Sequence, residues 1–290
     1  MEKYRVISTQ KQTAMVINTK NGEQQSCFFA RKSKPICGDY VEIQINKNEF
    51  LISNIIDRKN VFSRANHKGH PQNIAANVDN QIIVVAVKPE PTKDLINRYL
   101  IAAHLCKMNP IILFNKYDLN ENYFKSTQEL YQSLGYTTLS TSTKTGHCFK
   151  ELLELMQGKT SIFVGMSGVG KSSISEILLK NELKTGKISN KTGKGSHVTS
   201  VTHLYQIPDS DGYLIDSPGV WEYGLWKMGE QEIAAGFPEI HAQLGRCKFS
   251  NCTHTHEPGC RIKLAVENNQ INDLRYQSYL RIIDSMKYWN

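Results

Sequence analysis

No stretch of the chain carries the roughly 18 consecutive apolar residues that a membrane-spanning helix needs. The longest apolar run, Ile82–Val87, has six residues, and Ile111–Phe114 has four. The opening residues, Met1-Glu-Lys-Tyr-Arg, lack the apolar stretch of a secretory signal. Internal repeats and low-complexity tracts are missing too. Cysteine is sparse and odd in number, seven in 290 residues, and without an export signal the crowded Cys247, Cys252 and Cys260 are expected to form a metal site rather than a disulfide framework. A shortage of apolar residues is not among these absences. Hydrophobic residues make up 40% and charged residues 21% of the chain, which excludes a largely disordered polypeptide. The expectation is a soluble cytoplasmic monomer with no membrane partner, built from two or three domains of about 100–200 residues each.

Charge is unevenly spread. Thirty-five Lys and Arg against 27 Asp and Glu give a net charge of +8. Residues 1–64 hold 11 basic and 6 acidic side chains, more than half of the whole surplus. A polyanionic partner is expected there.

The first sixty residues alternate apolar and polar in five short runs: Tyr4–Ile7, Thr13–Ile17, Ser26–Ala30, Asp39–Ile45 and Phe50–Ile56. Turn signals such as Asn21-Gly22 and Lys34-Pro35 separate them. Five strands without a helical period predict a small closed barrel of the OB-fold or SH3-like type. From about residue 78 strands and helices alternate. Strands are expected at Gln81–Val87, Pro110–Phe114, Thr137–Leu139 and Ser161–Val164, with helices at Lys93–Lys107, Glu121–Leu134 and Phe149–Met156. That rhythm predicts an α/β domain with a parallel sheet wound on both faces. The Gly-rich polar segment 181–200 interrupts it, and strands at Val201–Ile207 and Tyr213–Ile215 complete the sheet. Beyond Trp226 the chain reads helical, then Cys/His-rich, then helical from Ile271 to Tyr288. The expected domains are 1–62, 63–222 and 223–290.

Gly165, Met166, Ser167, Gly168, Val169, Gly170, Lys171 and Ser172, followed by Ser173, match the Walker A pattern between a strand and a helix. The glycines let successive backbone N–H groups face phosphate at a helix N-terminus. Lys171 would reach the β- and γ-phosphates, and the Ser172 hydroxyl would bind Mg²⁺. Asn115-Lys116-Tyr117-Asp118 follows a strand, and a carboxylate there can accept from both N1–H and the exocyclic amine of guanine. Alone, such a tetrapeptide is often a helix N-cap; beside Walker A it points to GTP and GDP, because another base would leave Asp118 unpaired. Ser142 and Thr143 follow a further strand and could cover the base. Asp216-Ser-Pro-Gly219 matches DxxG, with Asp216 holding Mg²⁺ through water and the Gly219 N–H sensing the γ-phosphate.

The order of these motifs is unusual. NKxD at 115 and the serine motif at 142 precede Walker A at 165 and DxPG at 216, as in a circularly permuted GTPase. Loops on one sheet edge keep their geometry when the chain is rejoined elsewhere. Val220 occupies the position after DxxG where Ras-type enzymes carry a water-orienting glutamine, and valine cannot bond water. His197 is the nearest candidate by type. Farther on, Cys247, Cys252, His254 and Cys260 supply three thiolates and an imidazole, a closed set for one structural Zn²⁺; His256 rivals His254. A closed set argues against a zinc metallochaperone.

Together, the barrel, the NKxD–GxSGVGKSS–DSPG order and the CxxxxCxHxxxxxC cluster resemble the ribosome small-subunit-dependent GTPase A family, RsgA or YjeQ. Ala75-Ala-Asn-Val-Asp79 and Gly224-Leu-Trp226 extend the resemblance along nearly the whole chain. It implies an OB-fold, a permuted GTPase and a zinc domain, acting on 16S rRNA late in maturation of the 30S subunit, with hydrolysis driving release. The family's switch I has a His followed by threonines, whereas this chain reads His197-Val-Thr-Ser200; Thr199 is the corresponding candidate for the Mg²⁺ and γ-phosphate contact. A GTP-switched RNA-binding regulator with incidental hydrolysis is the rival.

Overall fold

The computed structural model describes residues 2–46, 49–66, 69–179, 201–208, 210–217 and 226–287. Strands β1 (Tyr4–Gln10), β2 (Thr13–Asn18), β3 (Gln24–Phe28), β4 (Tyr40–Asn46) and β5 (Glu49–Ile55) form a closed barrel in the order β1-β2-β3-β5-β4. Antiparallel pairing is broken at one seam, where β3 meets β5 in parallel. This is the OB-fold alternative of the two expected barrels. Val6, Ala14, Val16, Cys27, Val41 and Ile52 fill its interior, the inward half of each alternating run.

A hairpin that the turn signals did not reveal follows, β6 (Val61–Ala65) with β7 (Pro71–Ala76). Its inward residues Phe62 and Ala75 are fully buried in the core of the next domain. The hairpin therefore packs as part of the α/β body.

That body is a six-stranded sheet of order β10-β9-β8-β11-β13-β12. It contains β8 (Asn80–Ala86), β9 (Asn109–Asn115), β10 (Thr137–Ser140), β11 (Thr160–Val164), β12 (His203–Gln206) and β13 (Tyr213–Asp216). Helices α1 (Leu95–Leu105), α2 (Lys125–Ser133), α3 (Phe149–Met156) and α4 (Lys171–Leu178) connect its strands. Every residue of β8 is buried, and its period of two divides the core. Ile83 and Val85 join one cluster, while Ile82, Val84 and Ala86 join the other, with Leu152 and Ile174 of α3 and α4. Five strands run parallel; β12 is antiparallel to β13, because the short turn between them leaves no room for a crossover.

The first cluster continues into the C-terminal helices α5 (Glu230–Ala234), α6 (Pro238–His241), α7 (Arg261–Glu267) and α8 (Asp273–Lys287). Among the described residues no helix is long and apolar enough to cross a membrane. At the junction, Arg275 is 1% exposed. Its guanidinium donates to both Glu239 carboxylate oxygens at 2.7 and 3.1 Å, to Asn97 Oδ1 at 2.6 Å and to the Gly236 carbonyl at 3.0 Å. Asn97 also accepts from Tyr131 at 2.7 Å and donates to Ser278 at 2.7 Å. One buried cation thus ties α8 and α6 to α1 and α2.

Removing one partner of a buried pair costs about 3–5 kcal/mol, since the other charge is left uncompensated. Arg275→Met should therefore lower stability by that order. Urea denaturation followed by tryptophan fluorescence checks it, and an unchanged midpoint would show that the junction does not depend on this residue.

Candidate functional site

Four chain segments leave the sheet at the carboxyl ends of its strands, where open α/β sheets place their ligands. Asn115 ends β9 and Lys116–Asp118 follow it, Ser142 and Thr143 lie just after β10, Gly165–Gly170 follows β11, and Asp216 ends β13. The parallel registers make these ends neighbours: Ser140 pairs with Phe114, Asn115 with Ala86, and Val164 with Ile83.

The phosphate-type loop is shaped by close approach. At Gly165, φ is +144°, and an added Cβ would overlap the Val84 carbonyl oxygen. At Gly170, φ is +100° and an added Cβ would collide with the Asn115 amide. Neither position admits a side chain. Val169 anchors the loop in the core, while Ser167, Gly168, Ser172 and Ser173 face solvent and Met166 is half-buried. The Lys171 amine donates to the carbonyls of Gly165 and Met166, both at 2.7 Å. Burial lowers its pKa to about 8, against the pull of Asp216. Desolvation raises the Asp216 carboxyl above its ordinary value, opposed by Lys171.

The NKxD residues divide by role. Asn115 is buried; its amide donates to the Val169 carbonyl at 2.8 Å, and its oxygen accepts from Thr141 Oγ1 at 3.3 Å. Lys116 adopts a left-handed backbone, φ 60°, and its amine donates to the carbonyls of Lys88 and Gly168 at 2.7 and 2.8 Å. Both side chains hold the phosphate-type loop. Asp118 is exposed, and Ser142 Oγ donates to its Oδ1 at 2.6 Å. The same Ser142 oxygen accepts from the N–H groups of Lys144 and Thr145, each at 3.3 Å. Thr143, beside it, is half-buried.

Sequence reasoning overlooked Thr141, which is fully buried and exchanges backbone bonds with Phe114 and Tyr117. It also overlooked Thr202, whose Oγ1 lies 3.0 Å from Ser217 Oγ beside Asp216. A hydroxyl flanking a motif was the available signal in both cases. His197, Thr199, Gly219 and Val220 lie outside the described residues, as do Gly224 and Leu225.

A second cluster sits between α6 and α7. Cys247, Cys252, His254 and Cys260 each offer a ligand atom, all within 4.8 Å of one another. His254 Nδ1 lies 3.6 and 3.5 Å from the sulfurs of Cys247 and Cys260, which are 4.0 Å apart. Tetrahedral Zn²⁺ would require about 3.6 Å from sulfur to nitrogen and about 3.8 Å between sulfurs, so the donors fit this ion. Nε2 of His254 lies 3.1 Å from Glu230, which also accepts from Tyr279 at 2.9 Å; such a carboxylate fixes the tautomer of a ligating imidazole. His256 is exposed and bonds Thr255 instead.

A Lys171 that meets phosphate would set a pH dependence: its charged form attracts the anion, and a bound phosphate would raise its pKa. Affinity for a nucleoside triphosphate should therefore hold below the free-protein value of about 8 and fall by up to about tenfold per pH unit above it. Calorimetry near pH 8.5, in buffers of different ionisation enthalpy, should record proton uptake on binding. No uptake would mean that the amine is already charged.

A family model for RsgA GTPase matches residues 55–226. The small ribosomal subunit biogenesis GTPase RsgA of Marinobacter nauticus is 40% identical over 276 residues, covering 92% of this chain and 78% of that one. Its namesake from Hahella chejuensis is 41% identical over 235 residues, covering 79% and 67%. Among solved structures, YjeQ from Thermotoga maritima superposes with a TM-score of 0.78 at 30% identity over 99% of each chain. YloQ, described as a circularly permuted GTPase, gives 0.75 at 26% identity over 99% and 95%. A family match across more than half of the chain, with relatives aligned along most of it, makes this protein a member of the RsgA GTPase family.

Proposed function

We propose that this GTPase acts late in maturation of the small ribosomal subunit, binding 16S rRNA and using hydrolysis to leave the finished 30S particle. The observation that carries the reading is the gathering of Lys171, Asp118 and Asp216 at one sheet edge in the permuted order, in a chain whose relatives are named for that process.

Phosphate binding falls to the backbone N–H groups of Gly165–Gly170 and to Lys171, which would exchange its two loop carbonyls for the β- and γ-phosphates. Asp118, exposed and oriented by Ser142, reads guanine by accepting from two donors that adenine does not present together. Hard oxygen ligands suit Mg²⁺, so the Ser172 hydroxyl and, through water, Asp216 would hold it; the ion neutralises phosphate charge when bound. Thr199 and Gly219 are assigned to the γ-phosphate on motif position. Cys247, Cys252, His254 and Cys260 are assigned to one structural Zn²⁺. The basic surplus of residues 1–64 supports the barrel as the RNA-binding element. The domain division 1–62, 63–222 and 223–290 belongs to the same proposal.

With Val220 after DxxG, the chain lacks the usual water-positioning glutamine. Hydrolysis by the isolated protein is therefore slow, and the ribosomal surface completes the site with His197 as the candidate group; supplied groups elsewhere contribute about 10³–10⁵ in rate. Single-turnover GTP hydrolysis with and without mature 30S subunits tests this. Marked acceleration that is lost in His197→Ala is expected, and rapid hydrolysis by the protein alone would refute the scheme.

The metal assignment has its own test. Zn–thiolate bonds contribute directly to folding, so Cys252→Ser should speed hydrogen exchange beyond about residue 230 while nucleotide still binds. Gently purified protein should carry one zinc by elemental analysis, and its absence would remove the assignment.

A further inference from the structure

The aromatic rings of Tyr117 and His147 stack with centroids 5.2 Å apart and planes 9° from parallel. Tyr117 is the variable residue of NKxD, between tethered Lys116 and exposed Asp118. His147 closes the loop that begins at Ser142, and the two residues form an antiparallel bridge. The Tyr117 N–H also donates to the Thr141 carbonyl at 3.0 Å, and the Gly146 N–H to the Ser142 carbonyl at 2.9 Å. The two base-side loops are therefore joined three times, by backbone, by the Ser142–Asp118 hydrogen bond and by the ring stack.

The stack lies toward solvent. His147 is exposed and Tyr117 half-buried, so neither ring fills the sheet core, and truncating His147 leaves no cavity there. What the stack can do is hold the 142–147 loop against the NKxD turn. Ser142 Oγ is fixed by the N–H groups of Lys144 and Thr145 in that loop, and it in turn sets the rotamer of Asp118.

We propose that Tyr117 and His147 are positioning residues for base selection, keeping Ser142, and through it the Asp118 carboxylate, aimed at both guanine donors. The inference rests on the guanine reading above. It separates base contacts from phosphate contacts, because the loop of Gly165–Gly170 is held by the Asn115 and Lys116 side chains and not by the ring stack.

The experiment measures binding of GDP, IDP and inorganic pyrophosphate by the full-length protein, as wild type, His147→Ala, His147→Tyr and Asp118→Asn. Inosine lacks the exocyclic amine and so loses one of the two carboxylate contacts. His147→Ala should weaken GDP by about two- to tenfold, the range of an aromatic pair. It should also narrow the GDP-over-IDP preference while leaving pyrophosphate affinity unchanged, and His147→Tyr should restore both. Wild-type affinities in His147→Ala would overturn the proposal, as would equal losses of GDP and pyrophosphate, which would mark a purely structural role. GDP affinity unaltered by Asp118→Asn would instead sink the guanine reading itself, and the proposal with it. Tyr117→Ala is the second variant and should reproduce His147→Ala.

Discussion

The buried side-chain amide of Asn115 is the contact on which the site depends. It stands at the end of β9, donates to the Val169 carbonyl of the phosphate-type loop and accepts from Thr141 after β10. One amide has few ways to satisfy both groups, and a buried unpaired carbonyl would cost about 1–3 kcal/mol. Its position therefore fixes the spacing between the NKxD and Ser142 loops and the Gly165–Gly170 loop. Gly170 has to be glycine for the same reason, since a Cβ would displace that amide. Lys116 repeats the arrangement one residue later, bridging Lys88 and Gly168. Connections between strand ends made by side chains survive permutation of the chain, because they do not depend on which strand comes first.

Permutation alters what the loops are attached to. The segment that starts at Asp216 leads into the C-terminal helices, and these are fastened to the α/β body at Arg275. That guanidinium shares Asn97 with Tyr131 of α2, and α2 is the helix that follows the NKxD turn. The C-terminal helices and the NKxD turn thus meet the same pair of helices, α1 and α2. Glu230 extends the connection by touching both His254 and Tyr279 of α8.

Much of this was legible in the sequence, for identifiable reasons. The strands of the sheet announced themselves because parallel strands buried on both faces read as short apolar runs, as in Asn80–Ala86 and Thr160–Val164. The four cluster residues were legible from thiolate and imidazole spacing, though the choice of His254 over His256 needed the chain to turn at His254, where φ is 63°. The hairpin Val61–Ala76 was not legible, since the consecutive polar pairs Ser63-Arg64 and Gln72-Asn73 interrupt the alternation around the buried Phe62 and Ala75. The tethering duty of Asn115 and Lys116 was invisible because the motif names a ligand contact and the hydrogen-bond partners are backbone carbonyls far along the chain. Helix α2 begins at Lys125 rather than near Glu121 because the Tyr117–Leu119 turn and the bends after it occupy that stretch.

At the barrel a second buried guanidinium plays the part that Arg275 plays at the other end. Arg5 is 2% exposed. It donates to Thr160 Oγ1 at 2.6 Å and lies 4.5 Å from the ring centre of Tyr213 and 5.1 Å from that of Tyr40. Thr160 and Tyr213 begin β11 and β13, the strands whose far ends carry the phosphate loop and Asp216. A buried ion pair such as that of Arg275 adds little net stability against apolar replacement, whereas a desolvated cation–π contact such as that of Arg5 contributes about 2 kcal/mol. Separating either exposes a desolvated charge. Their value here is geometric: each tolerates one docking arrangement. The barrel is thereby referred to the amino ends of the two strands whose carboxyl ends carry the Gly165–Gly170 loop and Asp216, and the C-terminal helices to the pair of helices beside the NKxD turn.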